Sequence, residues 1–177
     1  MATNPDTNVN TDNKNTGFIA TEQAGQYITD RPVDADEILA MANRLIRRKF
    51  ARGRSIISPE IAASYLPIQL AHFEHETFWT LFLDNQHRVL AFEQLFTGTI
   101  DQSSVYAREV VKRTLQLNAA AVIFAHNHPS GYSVPSQADR DITDKLRSAL
   151  ALIDVKVLDH FVVGADQVTS MAELGAW

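Results

Sequence analysis

Two histidines one residue apart, His126 and His128, follow directly on the apolar run Ala119 to Ala125, AAAVIFA. No other feature restricts the fold of this chain as much. The run is short, apolar and partly β-branched, which reads as a buried strand. Side chains two apart on a strand point to one side, so His126 and His128 present their rings together at its exit while Asn127 points the other way. Pro129, Gly131 and Pro135 then break regular structure. Ser136 opens a helical pattern whose apolar face is Ile142, Leu146, Ala149, Leu150 and Ile153, with Asp139 in the first turn facing back toward the loop.

Imidazole and carboxylate side chains suit Zn²⁺, and a catalytic zinc site typically takes three protein ligands and leaves a fourth position for water. His126, His128 and Asp139 supply such a set. Each part alone has a plainer meaning. Ser136 and Asp139 have the spacing of a capping box with Asp in place of Glu, and a lone histidine at a strand end is ordinarily a hydrogen-bonded structural residue. The conjunction of His-x-His-Pro, six residues, then Ser-x-x-Asp is what favours a metal.

That conjunction resembles the JAMM (JAB/MPN+) metalloprotease signature, which His126, His128, Pro129, Ser136 and Asp139 match position by position. The wider wording HNHPSG, with LNAAAVIFA before it and PSQADRDIT after it, is similar to the RadC branch of that family. Further similar segments, FLDNQHRVL, LFTGTI, YAREVVKRTLQLNAA and VKVLDHFVVG, extend the resemblance from about Glu74 to Trp177. It implies an α/β sandwich of the cytidine-deaminase-like kind, a mixed β-sheet flanked by helices.

It also implies a zinc-dependent hydrolase acting on an amide or isopeptide bond, with Zn²⁺ held by His126, His128 and Asp139. JAMM enzymes carry a glutamate near the start of an early strand, and Glu76, fifty residues before His126, stands at the matching place. It would be the general base, which such chemistry needs to take a proton from water and deliver it to the leaving amine. Glu74 and Glu93 are the alternatives, Glu93 falling mid-strand where it faces solvent. Ser136 would bond the developing oxyanion, as the matching serine does in JAMM enzymes. His160, with Asp159 beside it, is read as structural or as a partner that orients a ligand imidazole, a task open to Asp159 as well.

A different class of function remains open: a metal-carrying RadC-like accessory module, associated with DNA repair or mobile elements, without peptidase turnover. The local feature in its favour is the basic segment Arg44, Arg47, Arg48, Lys49, Arg52 and Arg54, which could meet phosphates but reads more simply as a solvated helix end. RadC proteins usually carry a helix-hairpin-helix-like region before this domain, and nothing between Met1 and Leu70 shows its glycine-centred hairpins. A nuclease is a third reading, disfavoured because few cations stand near the site to steady a phosphate.

Composition adds bounds. With no cysteine among 177 residues, disulfides and thiolate metal sites are excluded. A net charge of -5 gives no overall pull toward nucleic acid. No apolar run approaches a membrane span and the amino terminus lacks a signal peptide's regions, so a cytoplasmic protein is expected. Residues 1–16 are nearly all Asn, Thr and Asp and are expected to be a disordered tail. Residues 17–70 form a helical lead-in, with helices from Asp34 or Asp36 to near Gly53 and from Ser58, as N-cap, through Tyr65.

Residues 71–177 form the metal-dependent domain. Within it, strands are expected over residues 77–84 and 88–97. A helix capped by Ser103 or Ser104 runs to Asn118 with Glu109 and Arg113 paired. Final strands cover residues 155–163 and 167–170.

Overall fold

The computed structural model describes residues 17–23, 25–49, 51–53, 59–98 and 105–176. Two compact units divide at Leu45 and Ile46. In the first, β1 (Phe18–Ala20) and β2 (Tyr27–Thr29) pair antiparallel, and α1 (Ala35–Lys49) begins and crosses the division. A reciprocal cap starts α1: Asp34 Oδ1 accepts from Glu37 N at 2.8 Å, and Glu37 Oε2 accepts from Asp34 N at 3.2 Å. The helix stops at Lys49, short of Gly53. Three-residue strands carry too little periodicity to be read from sequence, and β1 and β2 were not expected.

The second unit holds α2 (Pro59–Leu70), β3 (Thr77–Leu83), β4 (Val89–Thr97), α3 (Ala107–Leu117), β5 (Ala121–Asn127), α4 (Gln137–Ala151), β6 (Lys156–Val163) and β7 (Val168–Ser170). Its five strands lie in the order β4-β3-β5-β6-β7, with only the β5–β6 pair parallel. That parallel pair follows from α4, which carries the chain back across the sheet. The result is the expected mixed α/β architecture.

Strand alternation sorts the core onto two faces. Ala121, Ile123 and Ala125 of β5 join Ala62, Leu66 and Leu70 of α2 on one face. Val122 and Phe124 join Val110 of α3 and Leu146 and Leu150 of α4 on the other. Every residue of β5 is buried, as befits a central strand covered on both sides.

Four sequence expectations are corrected here. The second helix runs on to Leu70 rather than stopping at Tyr65, despite Pro67 inside it. An interior proline costs about 3 kcal/mol, but burial of a leucine side chain returns about 1.5–3 kcal/mol, and Leu66 and Leu70 are both at most 2% exposed. Helix α3 begins at Ala107 with Tyr106 as its N-cap and no side-chain cap bond, while Ser103 and Ser104, like Ser58, lie outside the described residues.

Arg113 also does not pair with Glu109. It reaches Glu93 of β4 by a two-pronged contact of 2.7 and 2.5 Å, and Glu109 stands 3.5 Å from Lys112 instead. The bidentate fork to a half-buried carboxylate outweighs an exposed helical pair. Glu93 therefore ties α3 to the sheet rather than facing solvent.

Candidate metal centre

The site lies where β5 ends and α4 begins, on the α3/α4 face of the sheet. His126 is in register with Phe78 of β3 and Val162 of β6. His128, just beyond the strand, is still pinned, because its N–H donates to Val163 O at 2.8 Å. The chain then turns through Gly131, at φ 84°, whose carbonyl accepts from Ala165 N at 3.0 Å. This turn passes so close to Gly164 that a Cβ there would clash with the Gly131 carbonyl oxygen. A glycine at 164 is what lets the loop lie flat on the β6–β7 connection.

Ser136 caps α4 as the spacing foretold. Its Oγ accepts from Asp139 N at 3.2 Å, and Asp139 Oδ2 accepts from Ser136 N at 2.6 Å and from Ser136 Oγ at 2.7 Å. The cap aims Asp139, 1% exposed, at the histidines. His126 Nε2 stands 3.0 Å from His128 Nε2 and 3.1 Å from Asp139 Oδ1, and His128 Nε2 stands 3.4 Å from Asp139 Oδ2. These three residues are a group that could hold a metal ion.

Hydrogen bonding decides which ring atoms carry lone pairs. Thr143 Oγ1 donates to Asp139 O at 2.5 Å and so accepts from His160 Nδ1 at 2.6 Å. His160 Nε2 is then an acceptor, and His126 Nδ1–H donates to it at 2.8 Å. On the other ring, His128 Nδ1–H donates to the Tyr132 carbonyl at 2.8 Å. Both Nε2 atoms are thereby left with lone pairs turned toward one another and toward a carboxylate.

Asp139 Oδ1 is itself buried with no hydrogen bond aligned to it. Three electron-pair donors in van der Waals contact repel unless a cation lies among them. Two of their spacings, His126 Nε2 to His128 Nε2 at 3.0 Å and to Asp139 Oδ1 at 3.1 Å, are near the edge of a tetrahedron drawn about zinc with ligand bonds of about 2.0–2.2 Å, and the ligand atoms of all three residues lie within 4.8 Å of one another. The donor set fits zinc.

The electrostatics agree. Burial lowers the pKa of His126, against the pull of Asp139, and burial holds His160 well below the usual imidazole value. Both shifts favour the neutral ring, the form in which an imidazole can hold a metal or accept a hydrogen bond. Burial alone would raise Asp139, but His126, His128 and Ser136 hold it well below the usual carboxylate range. His128 is raised, chiefly by Asp139 and in lesser part by the charge of Glu76.

That influence of Glu76 reflects its place. Continuing the antiparallel register of Phe78 with His126 two residues further sets Glu76 opposite His128 and on the same face of the sheet. Glu74, exposed, and Glu93, engaged with Arg113, are elsewhere.

Two residues in this network were missed or misjudged from the sequence. Asp159 does not orient an imidazole: it accepts from His160 N, Ser170 Oγ and Ala172 N, fixing the end of the sheet. The orienting partner is His160. Thr143 was not singled out, although a threonine on the apolar stripe of α4, four residues after Asp139, was the available signal. Replacing Thr143 by valine should weaken binding of an added divalent metal by up to about 10- to 100-fold, the cost of losing a ligand's own partner, whereas Thr143→Ser should bind as wild type. A chelator competition measures both, and equal affinity in the valine variant would show that the relay does not set the ring.

In the basic segment, Arg54 and the side chains of Arg47 and Lys49 lie outside the described residues, while Arg44 is half-buried and Arg48 and Arg52 are exposed. Among the described residues no helix is long and apolar enough to cross a membrane.

Comparison with known proteins bears on this site. A family model described as a RadC-like JAB domain matches residues 56–176. A UPF0758 protein of Ectopseudomonas mendocina is 56% identical over 138 residues, which are 78% of this chain and 62% of that protein. One of Vibrio cholerae serotype O1 is 49% identical over 153 residues, 86% of this chain and 97% of that protein. The chain spans about 62% of the length of the first curated relatives it matches.

Proposed function

Since the chain belongs to the RadC-like JAB domain family, we propose that it is a zinc-dependent hydrolase of amide or isopeptide bonds. The observation that carries this reading is the convergence of two imidazole lone pairs and a buried carboxylate, with Glu76 across the sheet from His128. His126, His128 and Asp139 would hold the ion. Zinc bound there supplies Lewis acidity toward a carbonyl and makes water more acidic.

The remaining work falls to side chains of the chain. Glu76 takes a proton from the attacking water and returns it to the leaving amine. Ser136 now donates its hydroxyl proton to Asp139 Oδ2, and turning that O–H outward lets it bond the oxyanion that develops on the substrate. Rigid supports, a strand end and a capped helix start, keep these groups in place.

The test pairs wild type with Glu76→Gln on a panel of internally quenched peptides and Lys-ε-linked isopeptides. Turnover in the variant should fall by about 10²- to 10⁴-fold with zinc content unchanged. An equally active variant removes Glu76 from the chemistry. A wild type that holds zinc yet cleaves nothing in the panel favours a metal-carrying module without turnover.

A further inference from the structure

Asn127 sits between the two histidines and points to the opposite face of the sheet, away from the metal ligands. It is 2% exposed, and its carboxamide is fully engaged. Oδ1 accepts from Thr77 N at 2.8 Å and from Thr77 Oγ1 at 2.7 Å. Nδ2 donates to His75 O at 3.0 Å and to Phe73 O at 3.3 Å. Its partners therefore include the residues on both sides of Glu76.

The position matters because backbone pairing between β3 and β5 ends at Phe78 and His126. Beyond that point the ladder no longer fixes the chain that carries Glu76 relative to β5. The Asn127 side chain takes over, bonding the carbonyl before Glu76 and the amide after it. On the far side, Glu76 O accepts from Gly98 N at 2.9 Å, so the glutamate's backbone is held from two directions.

We propose that Asn127 is a positioning residue: its carboxamide sets the distance between the Glu76 carboxylate and the ligands on its own strand. The inference rests on the reading of Glu76 as the proton-transferring group. An apolar residue at 127 could fill the space, but it would leave two carbonyls and an amide without partners and free the segment 73–77 to shift. An acid could not replace the amide, since it lacks the N–H donors. One residue thereby couples the strand that holds the ion to the segment that holds the base.

The experiment uses the full chain loaded with Co²⁺, whose visible absorption follows ionisation of water at the metal as pH is varied. Glu76→Gln should move the midpoint of that titration by about one pH unit or more, as loss of a neighbouring charge does. Asn127→Ala should move it in the same direction, keep cobalt affinity within about threefold, and speed amide exchange at residues 73–77. In the Glu76→Gln background, Asn127→Ala should add no further shift. Should the alanine variant not fold, Asn127→Ser, which keeps a shorter polar group, serves for the same reading.

A midpoint unmoved by the Asn127 change, with Glu76→Gln shifted, overturns the positioning role alone. A midpoint unmoved by Glu76→Gln overturns the reading of Glu76. Loss of cobalt binding in the Asn127 variant also overturns the proposal, because the side chain would then be serving the ligands.

Discussion

Loaded with zinc and then dialysed, the wild-type chain should retain about one zinc per molecule, and the His126→Ala, His128→Ala variant none. Removing both rings leaves Asp139 as the sole member of the described donor group, and a single carboxylate does not hold zinc against dialysis. Elemental analysis reads the result directly. The same measurement has a pH dependence of known sign. His128 binds its proton more tightly than a free imidazole does, because Asp139 first, then the Tyr132 carbonyl and least of all Glu76 stabilise the charged ring.

Zinc must displace that proton. Affinity should therefore fall as pH drops through and below the raised value, by about tenfold per pH unit for one proton released. A measured zinc affinity that is equal at pH 5 and pH 8 would mean that His128 is not a ligand. A wild type that takes up no zinc at all would leave the converging lone pairs without their cation and end the metal reading.

Phe124→Ala should destabilise the metal-free protein by about 3–5 kcal/mol, measured by urea unfolding. Phe124 is 0% exposed at the middle of β5. Its ring lies 5.3 Å from that of Phe78 and 5.8 Å from that of His160, so truncation removes both its own burial and the wall behind the histidine relay. Metal-free protein is the proper sample, since zinc bound to the folded state would add stability of its own. A loss under about 1 kcal/mol would show that the interior closes over the gap.

Much of this site could be read before any coordinates. The His126, His128 and Asp139 set was legible because ligand chemistry, strand alternation and the helix cap coincide within fourteen residues, HNHPSGYSVPSQAD. The strands over 77–83 and 89–97 were legible because their apolar content is dense and a polar turn separates them.

Long-range partnerships were harder. Arg113 has an acid four residues away in its own helix, and only the fold reveals that Glu93, twenty residues earlier, offers a better fork. Asn127 was read as pointing away from the ligands, which it does, but periodicity cannot say that Phe73, His75 and Thr77 wait there. The choice between His160 and Asp159 as the partner of a ligand imidazole was left open for a similar reason: which of two adjacent polar residues faces the site depends on the bulge where β5 and β6 shift register, between Val122 and Ile123.

The parallel pairing of β5 with β6 also sets when the centre can exist. A ribosome releases this chain from its amino terminus, so the three groups of the metal set emerge by Asp139, before any of β6. At that stage His126 lacks His160 to fix its ring, and His128 lacks Val163 to hold its backbone. The nascent chain thus carries every donor atom but no formed pocket. A metal ion held by these groups would meet oriented rings only once translation has passed Val163 and β6 has paired with β5.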